Sequence, residues 1–412
     1  MNGVIRYPRF IIAISILVAG IFLLTECMQP GTGKTDNELN SDFLKFAGSA
    51  TCVNCHKNIY DSHVHTAHYF TSGAASEKYI RGTFDLGRNI FAFNKDTIVA
   101  MEKRDNFYFQ VEYIYGVQKL ARRFDIVVGS GTKGQTYLNW ANNQLYQLPI
   151  TYFTSADQWS NSPGYPGRAV FNRPVTSRCL ECHSTYVQKI SAAGKEPEEF
   201  DSRQMILGVD CEKCHGPAAR HVEFQTQNPG ETKGRYIINP ATLTRQQNLD
   251  LCRLCHGGRL NKTTTSFAFV VADSLSNYFS MDTAARDASN IDVHGNQYGL
   301  MAASKCFRMS RMTCNSCHNT HENETGKIAL FSQRCRNCHS SGHEPVCKMT
   351  QKIGPSINQN CIDCHMPIQS SRAIEVFLQG KDVPTPAMMR SHFIRIYPAE
   401  TKKFLASTHP VK

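Results

Sequence analysis

The sequence predicts a mainly α-helical chain with much irregular structure, broken by an antiparallel β-rich insertion at about residues 76–178. Three observations carry this expectation. Seven copies of one five-residue pattern, two cysteines two residues apart followed at once by a histidine, are spread over the 412 residues. They leave about 55 residues of chain per copy, too few for a conventional hydrocarbon core around each. Residues 76–178, between the first and second copies, hold no cysteine or histidine, and there the apolar residues alternate with polar ones.

At the N-terminus, Arg6 and Arg9 precede an apolar run from Phe10 to Leu24, the build of an export signal over residues 1–27. The run is shorter than the ~20 residues of a comfortable membrane span. Cys27 follows it in "LLTEC", where bacterial lipoprotein signals carry the cysteine that is lipidated after cleavage, although Glu26 stands where a small residue is usual. The reading is therefore a lipid anchor, with an uncleaved helical anchor and soluble release as its alternatives. Each places the body outside the cytoplasm: facing the periplasm on a membrane, soluble in the periplasm, or at the cell surface. Residues 28–47 read as a flexible tether. Its "PGTGKT" resembles the end of a phosphate-binding loop, but Met28 stands where that loop needs glycine and no clear helix follows, so no nucleotide is expected.

The seven copies are "CVNCH" (52–56), "CLECH" (179–183), "CEKCH" (211–215), "CRLCH" (252–256), "CNSCH" (314–318), "CRNCH" (335–339) and "CIDCH" (361–365). Zinc-ribbon spacing fits only the pairs at 314–317 and 335–338. A redox dithiol would occur once, on a thioredoxin-like pattern, and a disulfide scaffold has no use for a histidine at a fixed place. With 16 histidines in 412 residues, one follows a given pair by chance with a probability of about 0.04, yet all seven pairs have one. Covalent haem attachment needs this arrangement: two thiols add to the two porphyrin vinyl groups, and the adjacent imidazole binds the iron. The expected cofactors are seven haem c groups. Their thioether cysteines are Cys52 and Cys55, Cys179 and Cys182, Cys211 and Cys214, Cys252 and Cys255, Cys314 and Cys317, Cys335 and Cys338, and Cys361 and Cys364. The proximal ligands are His56, His183, His215, His256, His318, His339 and His365.

This reading changes what the charge means. A formal +11 suggests nucleic acid or anionic membrane. Seven haems add roughly −14 in propionates, partly offset by the ferric centres, so the assembled protein is near neutral and no nucleic-acid partner is expected. The porphyrins also supply apolar surface and covalent staples, which is why short helices and loops wrapped over stacked haems are expected.

Nine histidines remain: His63, His65, His68, His221, His294, His321, His343, His392 and His409. Low-spin haem carriers usually take a second imidazole on the opposite ring face. His321 lies three residues after His318, a span of at most ~10 Å, too short to pass round the porphyrin edge. His343, four after His339, is similarly limited. His221, six after His215, starts its link with a Gly-Pro turn. These three are therefore expected to bind a neighbouring haem, which would draw the haems together.

The chain resembles the multihaem cytochrome family that includes tetrahaem cytochrome c-554, related to hydroxylamine-oxidising and nitrite-reducing multihaem enzymes. "SATCVNCHKNIYDSHVHTAH" is similar to the family's first haem motif and distal-histidine helix (48–75), which implies His68 as a distal ligand; His63 falls where the family often has tryptophan. "CEKCHGPAARH" resembles a motif that implies His221, and "DVHGNQYGLMAASKCFRMSRMTCNSCHNTH" one that implies His294 and His321. "CIDCHMP" and "RSHFIRIYP" also look familial, the latter implying His392. With His343 these make six distal ligands. Either His63 or His65 completes the set, or one haem is five-coordinate. The leftover Cys306 and Cys347 are expected to form a disulfide in an oxidising compartment.

Residues 179–412 thus read as a multihaem domain with haems two to seven. In the insertion, "FYFQVEY", "RRFDIVVGSG", "QTYLNW" and "LYQLPITYF" read as a compact meander of five to seven strands that covers haems. The expected function is electron carriage between redox-partner proteins outside the cytoplasm, with no catalytic residue assigned. The alternatives are an oxidoreductase acting on a small nitrogen or sulfur species at a five-coordinate haem, and a haem subunit of a larger respiratory complex. Nitrite reductases of the related group have a lysine as proximal ligand at the active haem, whereas all seven positions here are histidine.

Overall fold

The computed structural model describes residues 42–165, 167–281, 288–339 and 347–408. The export signal with Cys27, residues 28–41 of the tether, His343 and His409 lie outside the described residues.

Helix α1 (Ser49–His63) carries the first motif and kinks at His56, whose φ of −115° and ψ of 38° leave the helical region. A short turn then feeds strand β1 (Ser72–Ala74). Strands β2 (Ile90–Ala92), β3 (Thr97–Arg104), β4 (Phe107–Ile114) and β5 (Val117–Arg123) follow as a four-stranded antiparallel meander. The β4–β5 link is Tyr115-Gly116, both at positive φ, the backbone of a tight hairpin turn whose twist matches its strands.

A second sheet of seven strands contains β1, β6 (Ile126–Val128), β7 (Gly134–Ala141), β8 (Gln144–Gln147), β9 (Ile150–Phe153), β10 (Gln158–Asn161) and β11 (Arg173–Pro174). Its order is β1-β6-β7-β8-β11, with β9 paired to β7 and β10 to β9. The main apolar core holds side chains from both sheets. Phe91, Val99, Met101 and Tyr108 come from one, and Val127, Tyr137, Ile150, Tyr152 and Trp159 from the other. Phe124 stacks on Tyr137 with ring centres 4.3 Å apart, and the Trp159 indole N–H donates to the Thr83 carbonyl at 2.8 Å. Such aromatic pairs add directional stabilisation to simple area burial.

Beyond the sheets, α2 (Ser177–His183) runs directly into β12 (Ser184–Lys189), which pairs with β13 (Phe200–Leu207). Next come α3 (Cys211–His215), α4 (Ala219–Gln227) and α5 (Arg245–His256), then the hairpin of β14 (Leu260–Lys262) and β15 (Phe279–Met281). Helices α6 (Gln297–Ala302), α7 (Lys305–Arg308), α8 (Ile328–His339), α9 (Thr350–Ile353) and α10 (Ile362–His365) follow. A hairpin of β16 (Ile368–Val376) and β17 (Thr385–Arg390) and a last helix, α11 (Pro398–Thr408), end the described chain.

The expectation of a mainly α chain is therefore corrected: the chain is 32% helical and 26% strand, with several antiparallel sheets. Two causes account for this. Residues 76–178 form two sheets with ten strands, where a single meander of five to seven was expected. Strands also occur outside that segment, because three motif helices end at their histidine and the chain then turns extended: β12, β14 and β16 start one to four residues after His183, His256 and His365.

Candidate functional site

All seven cysteine–histidine motifs adopt helical or turn backbone. Those at 179–183, 252–256, 335–339 and 361–365 close α2, α5, α8 and α10, and the one at 211–215 is α3 itself. The motif at 52–56 sits inside α1 up to its kink, and Cys314–Ser316 is a single 3₁₀ turn. A spacing of three residues on a helix places the two thiols of each motif on one face. Local caps hold several of these short helices. Asp210 accepts from the Cys211 N–H at 2.8 Å, and Thr244 with Gln247 forms a capping box at the start of α5. Gly208, at φ +76°, lets the chain cross β1 closely before α3; a side chain there would strike the Tyr69 carbonyl at 2.5 Å.

Four of the motif histidines are oriented through one ring nitrogen. Nδ1 of His215 donates to the Ile238 carbonyl at 2.8 Å, and that of His365 to the Arg395 carbonyl at 3.0 Å. Nδ1 of His256 lies 3.1 Å from Gln297 Oε1, and that of His183 lies 3.1 Å from Thr71 Oγ1. His221 donates in the same way to the Arg235 carbonyl at 2.8 Å. Fixing Nδ1–H leaves Nε2 as the lone-pair nitrogen, the arrangement that orients metal-binding imidazoles.

Several of the remaining histidines face a motif histidine from elsewhere in the chain. Ring centres of His68 and His256 are 6.2 Å apart, those of His318 and His392 6.3 Å, and those of His215 and His321 6.1 Å. His321 thus meets the third motif and not its own fifth motif, as its short tether to His318 requires. His294 lies close enough to His183 to add to the burial that lowers the His183 pKa. Burial, reinforced by a neighbouring imidazole, pushes His68 and His392 down to about 4, so both are neutral at pH 7. His63 is buried, its ring centre is 6.4 Å from that of His321, and neither of its ring nitrogens has a hydrogen-bond partner. His65 is exposed.

Cysteines of different motifs also lie close to one another, three pairs of them in contact through sulfur. The Cys52 thiol lies against Cys211, Cys182 against Cys255, and Cys252 against Cys314. Cys317 neighbours Cys338, and Cys335 neighbours Cys361. Together with the His215–His321 contact, these neighbours link all seven motifs into one connected set. Of the two leftover cysteines, Cys306 lies beside the fifth and sixth motifs and Cys347 beside the seventh.

Comparison with known proteins extends this picture. The family described as "Cytochrome c554 and c-prime" matches residues 165–216, which include the second motif and the third. Multiheme cytochrome MtrA of Shewanella baltica (strain OS185) is 25% identical over 195 residues, 45% of this chain and 51% of the relative. The chain thus spans about half the length of that curated relative. The crystal structure of the outer cell wall cytochrome OcwA superposes with a TM-score of 0.54 at 15% identity, covering 89% of this chain and 84% of the other. These matches support reading the chain as a multihaem c-type cytochrome.

A cytochrome of this kind binds haem c covalently through its cysteine pairs, and the residues present fit that group. Two imidazoles holding one metal from opposite sides through ~2 Å bonds have ring centres roughly 6 Å apart, the spacing of the facing pairs. Metal-binding imidazole must be neutral, as burial makes His68 and His392. A cavity of about 530 Å³ lined by Arg178, Arg259 and Lys262 is cationic enough for acidic substituents. Arg178 ties it to two motifs, donating to the Leu254 carbonyl at 2.8 Å and standing 3.3 Å from the Cys182 sulfur.

Sequence reasoning passed over Arg178, Gln297 and the carboxylates inside the motifs. Glu181 (buried, with Lys262 and the Phe267 N–H) and Glu212 (buried, with three main-chain N–H groups) both occupy the variable positions between paired cysteines. A carboxylate in a position destined for burial was the available signal. Among the described residues, no helix is long and apolar enough to cross a membrane.

Proposed function

We propose that this cytochrome carries seven haems and moves electrons along one connected array, outside the cytoplasm, between other redox proteins. The observation that carries the proposal is the contiguity of the seven motifs: three pairs meet at their sulfurs, two more have cysteines within electrostatic reach of one another, and His321, just after the fifth motif, faces His215 of the third. When bound, haem c supplies an iron centre that accepts and releases one electron.

The chain's own residues do the rest. The fourteen motif cysteines anchor the porphyrins, and the seven motif histidines take the proximal places. His68, His221, His294, His321 and His392 are the distal ligands, with His343 proposed as a sixth from outside the described residues. His63 is the seventh in preference to His65, because its buried imidazole has no hydrogen bond, its Nε2 standing 3.6 Å from the Asp210 carboxylate, whereas the exposed His65 finds partners in water. Histidines held by main-chain carbonyls keep one geometry in both oxidation states, and burial keeps water from competing for the iron. Cys27 is proposed as the site of lipid attachment, on the strength of the apolar run that precedes it.

Intact-mass measurement of the purified protein, with visible and EPR spectra, tests this reading. The expected result is seven haem additions and low-spin ferric signals only. His63→Ala converts one centre to high spin, whereas His65→Ala leaves the spectra unchanged. Fewer than seven additions, or a high-spin centre in the unsubstituted protein, overturns it.

A further inference from the structure

Glu212 is the first residue between the cysteines of the third motif, and its carboxylate is buried. It is spent on main-chain groups of two other segments. Oε1 accepts from the N–H of Ala47 and from that of Ala218, and Oε2 accepts from the N–H of Gly48, each at 2.8 Å. Gly48 is the N-cap of α1 and offers no side chain to cap it. Ala218 is the N-cap of α4, again without a side-chain cap. The two helix starts are thus capped by one acid from the third motif, 164 residues from Gly48 and six from Ala218. A negative charge is favoured there because both helices present the positive end of their dipole.

The position gives the clamp a consequence beyond stability. Helix α1 carries Cys52, Cys55 and His56, and α4 carries His221. Cys52 and Cys211 meet at this junction, and His56 and His221 both lie within electrostatic reach of His215. Whatever fixes the start of α1 against α3 therefore fixes the first motif against the third. A local cap from Ser or Thr at position 48 would hold α1 as a helix without fixing it to anything.

On the reading that these motifs carry haem, we propose that Glu212 is the positioning residue of the haem pair held by the first and third motifs. It sets their separation by holding the α1 and α4 starts onto α3, and it places a fixed negative charge beside that pair. Removing the clamp changes two centres of the array and leaves the other five alone.

The test compares E212A and E212Q in the full haem-loaded protein, by hydrogen-exchange mass spectrometry and spectropotentiometric titration. E212A removes all three hydrogen bonds. Peptides covering Ala47–His56 and Ala218–His221 are expected to exchange roughly tenfold faster or more, and two reduction potentials are expected to shift. E212Q keeps the oxygen that accepts from Ala47 and Ala218 but removes the charge. It is expected to hold most of the exchange protection while raising the same two potentials, since loss of a nearby negative charge favours the reduced iron. Unchanged potentials in both variants overturn the proposal, as does a shift shared by all centres. If E212A fails to fold, an E212Q protein identical to the unsubstituted one in both measurements overturns it too. A haem count other than seven in the unsubstituted protein counts against the proposed array, not against the clamp, which requires only the first and third motifs to be loaded.

Discussion

From Ile80 to β10, large side chains bury one another: twelve buried residues, among them Trp159, Tyr137, Phe124, Tyr108 and Met101, make one continuous core. From α5 onward the buried apolar side chains come in small groups, such as Leu254, Leu260, Leu275 and Phe279, or Leu249, Met301 and Phe307. The helices there are short, several of four to six residues, well below the length at which a helix is stable by itself. Between the two lies a boundary cluster in which Leu180 of the second motif, with Val187 and Phe200, packs on Ile126, Leu138 and Leu145. The contrast teaches where folding energy comes from in each part. The sheet region has its own hydrocarbon core, while the motif region depends on the apolar faces and covalent bonds of its cofactors.

The largest effect that follows is on chain made without haem attachment. Amides of β3 to β10 are expected to stay protected from exchange, with protection reaching β13 through the boundary cluster, while those of α5 to α11 exchange at coil rates. Hydrogen-exchange mass spectrometry of chain expressed without the attachment machinery checks this. Uniform protection, or uniform loss, would break the comparison.

Next in size is a lesion confined to the sheet region. Trp159 is almost wholly buried, touches Phe84, Phe124, Tyr137 and Tyr152, and donates its indole N–H to Thr83. Trp159→Ala is expected to cost the sheets about 3–5 kcal/mol. Chemical denaturation followed by far-ultraviolet dichroism measures it, and haem absorbance should report unchanged iron ligation while the sheets remain folded.

How much of this was legible in the sequence follows the same division. The motifs were legible because covalent attachment demands two thiols and an imidazole at fixed local spacing, whatever the fold around them. The insertion showed itself by alternation, as in "FYFQVEY", but its division into two sheets did not, since β1 pairs with β6 across more than fifty residues. The hairpins after His183, His256 and His365 were hidden because their strands carry no clear alternation of apolar and polar residues and directly follow haem-motif helices, as in "STYVQK" after His183. His63 and His65 were indistinguishable by spacing, and only burial separates them. Glu212 could not have been read as a clamp, because two of its three partners lie 164 and 165 residues away.

The smallest of these effects probes how the two sheets are joined. Gln110 in β4 is fully buried, and its amide acts as a piece of strand: Nε2 donates to the Ile150 carbonyl at 2.7 Å, and Oε1 accepts from the Ile150 N–H at 3.0 Å. Ile150 belongs to β9 of the other sheet, so this one side chain carries a two-bond link between sheets that share no main-chain ladder. Leucine matches the volume of glutamine but offers neither bond. Gln110→Leu therefore trades a gain in apolar burial against two buried main-chain groups deprived of that partner, and the second outweighs the first by about 1–3 kcal/mol. Faster exchange of the Ile150 amide, at unchanged exchange in α5 to α11, is the expected signature. If the substitution instead stabilises the sheets, the link is dispensable and the shared aromatic core alone holds them face to face.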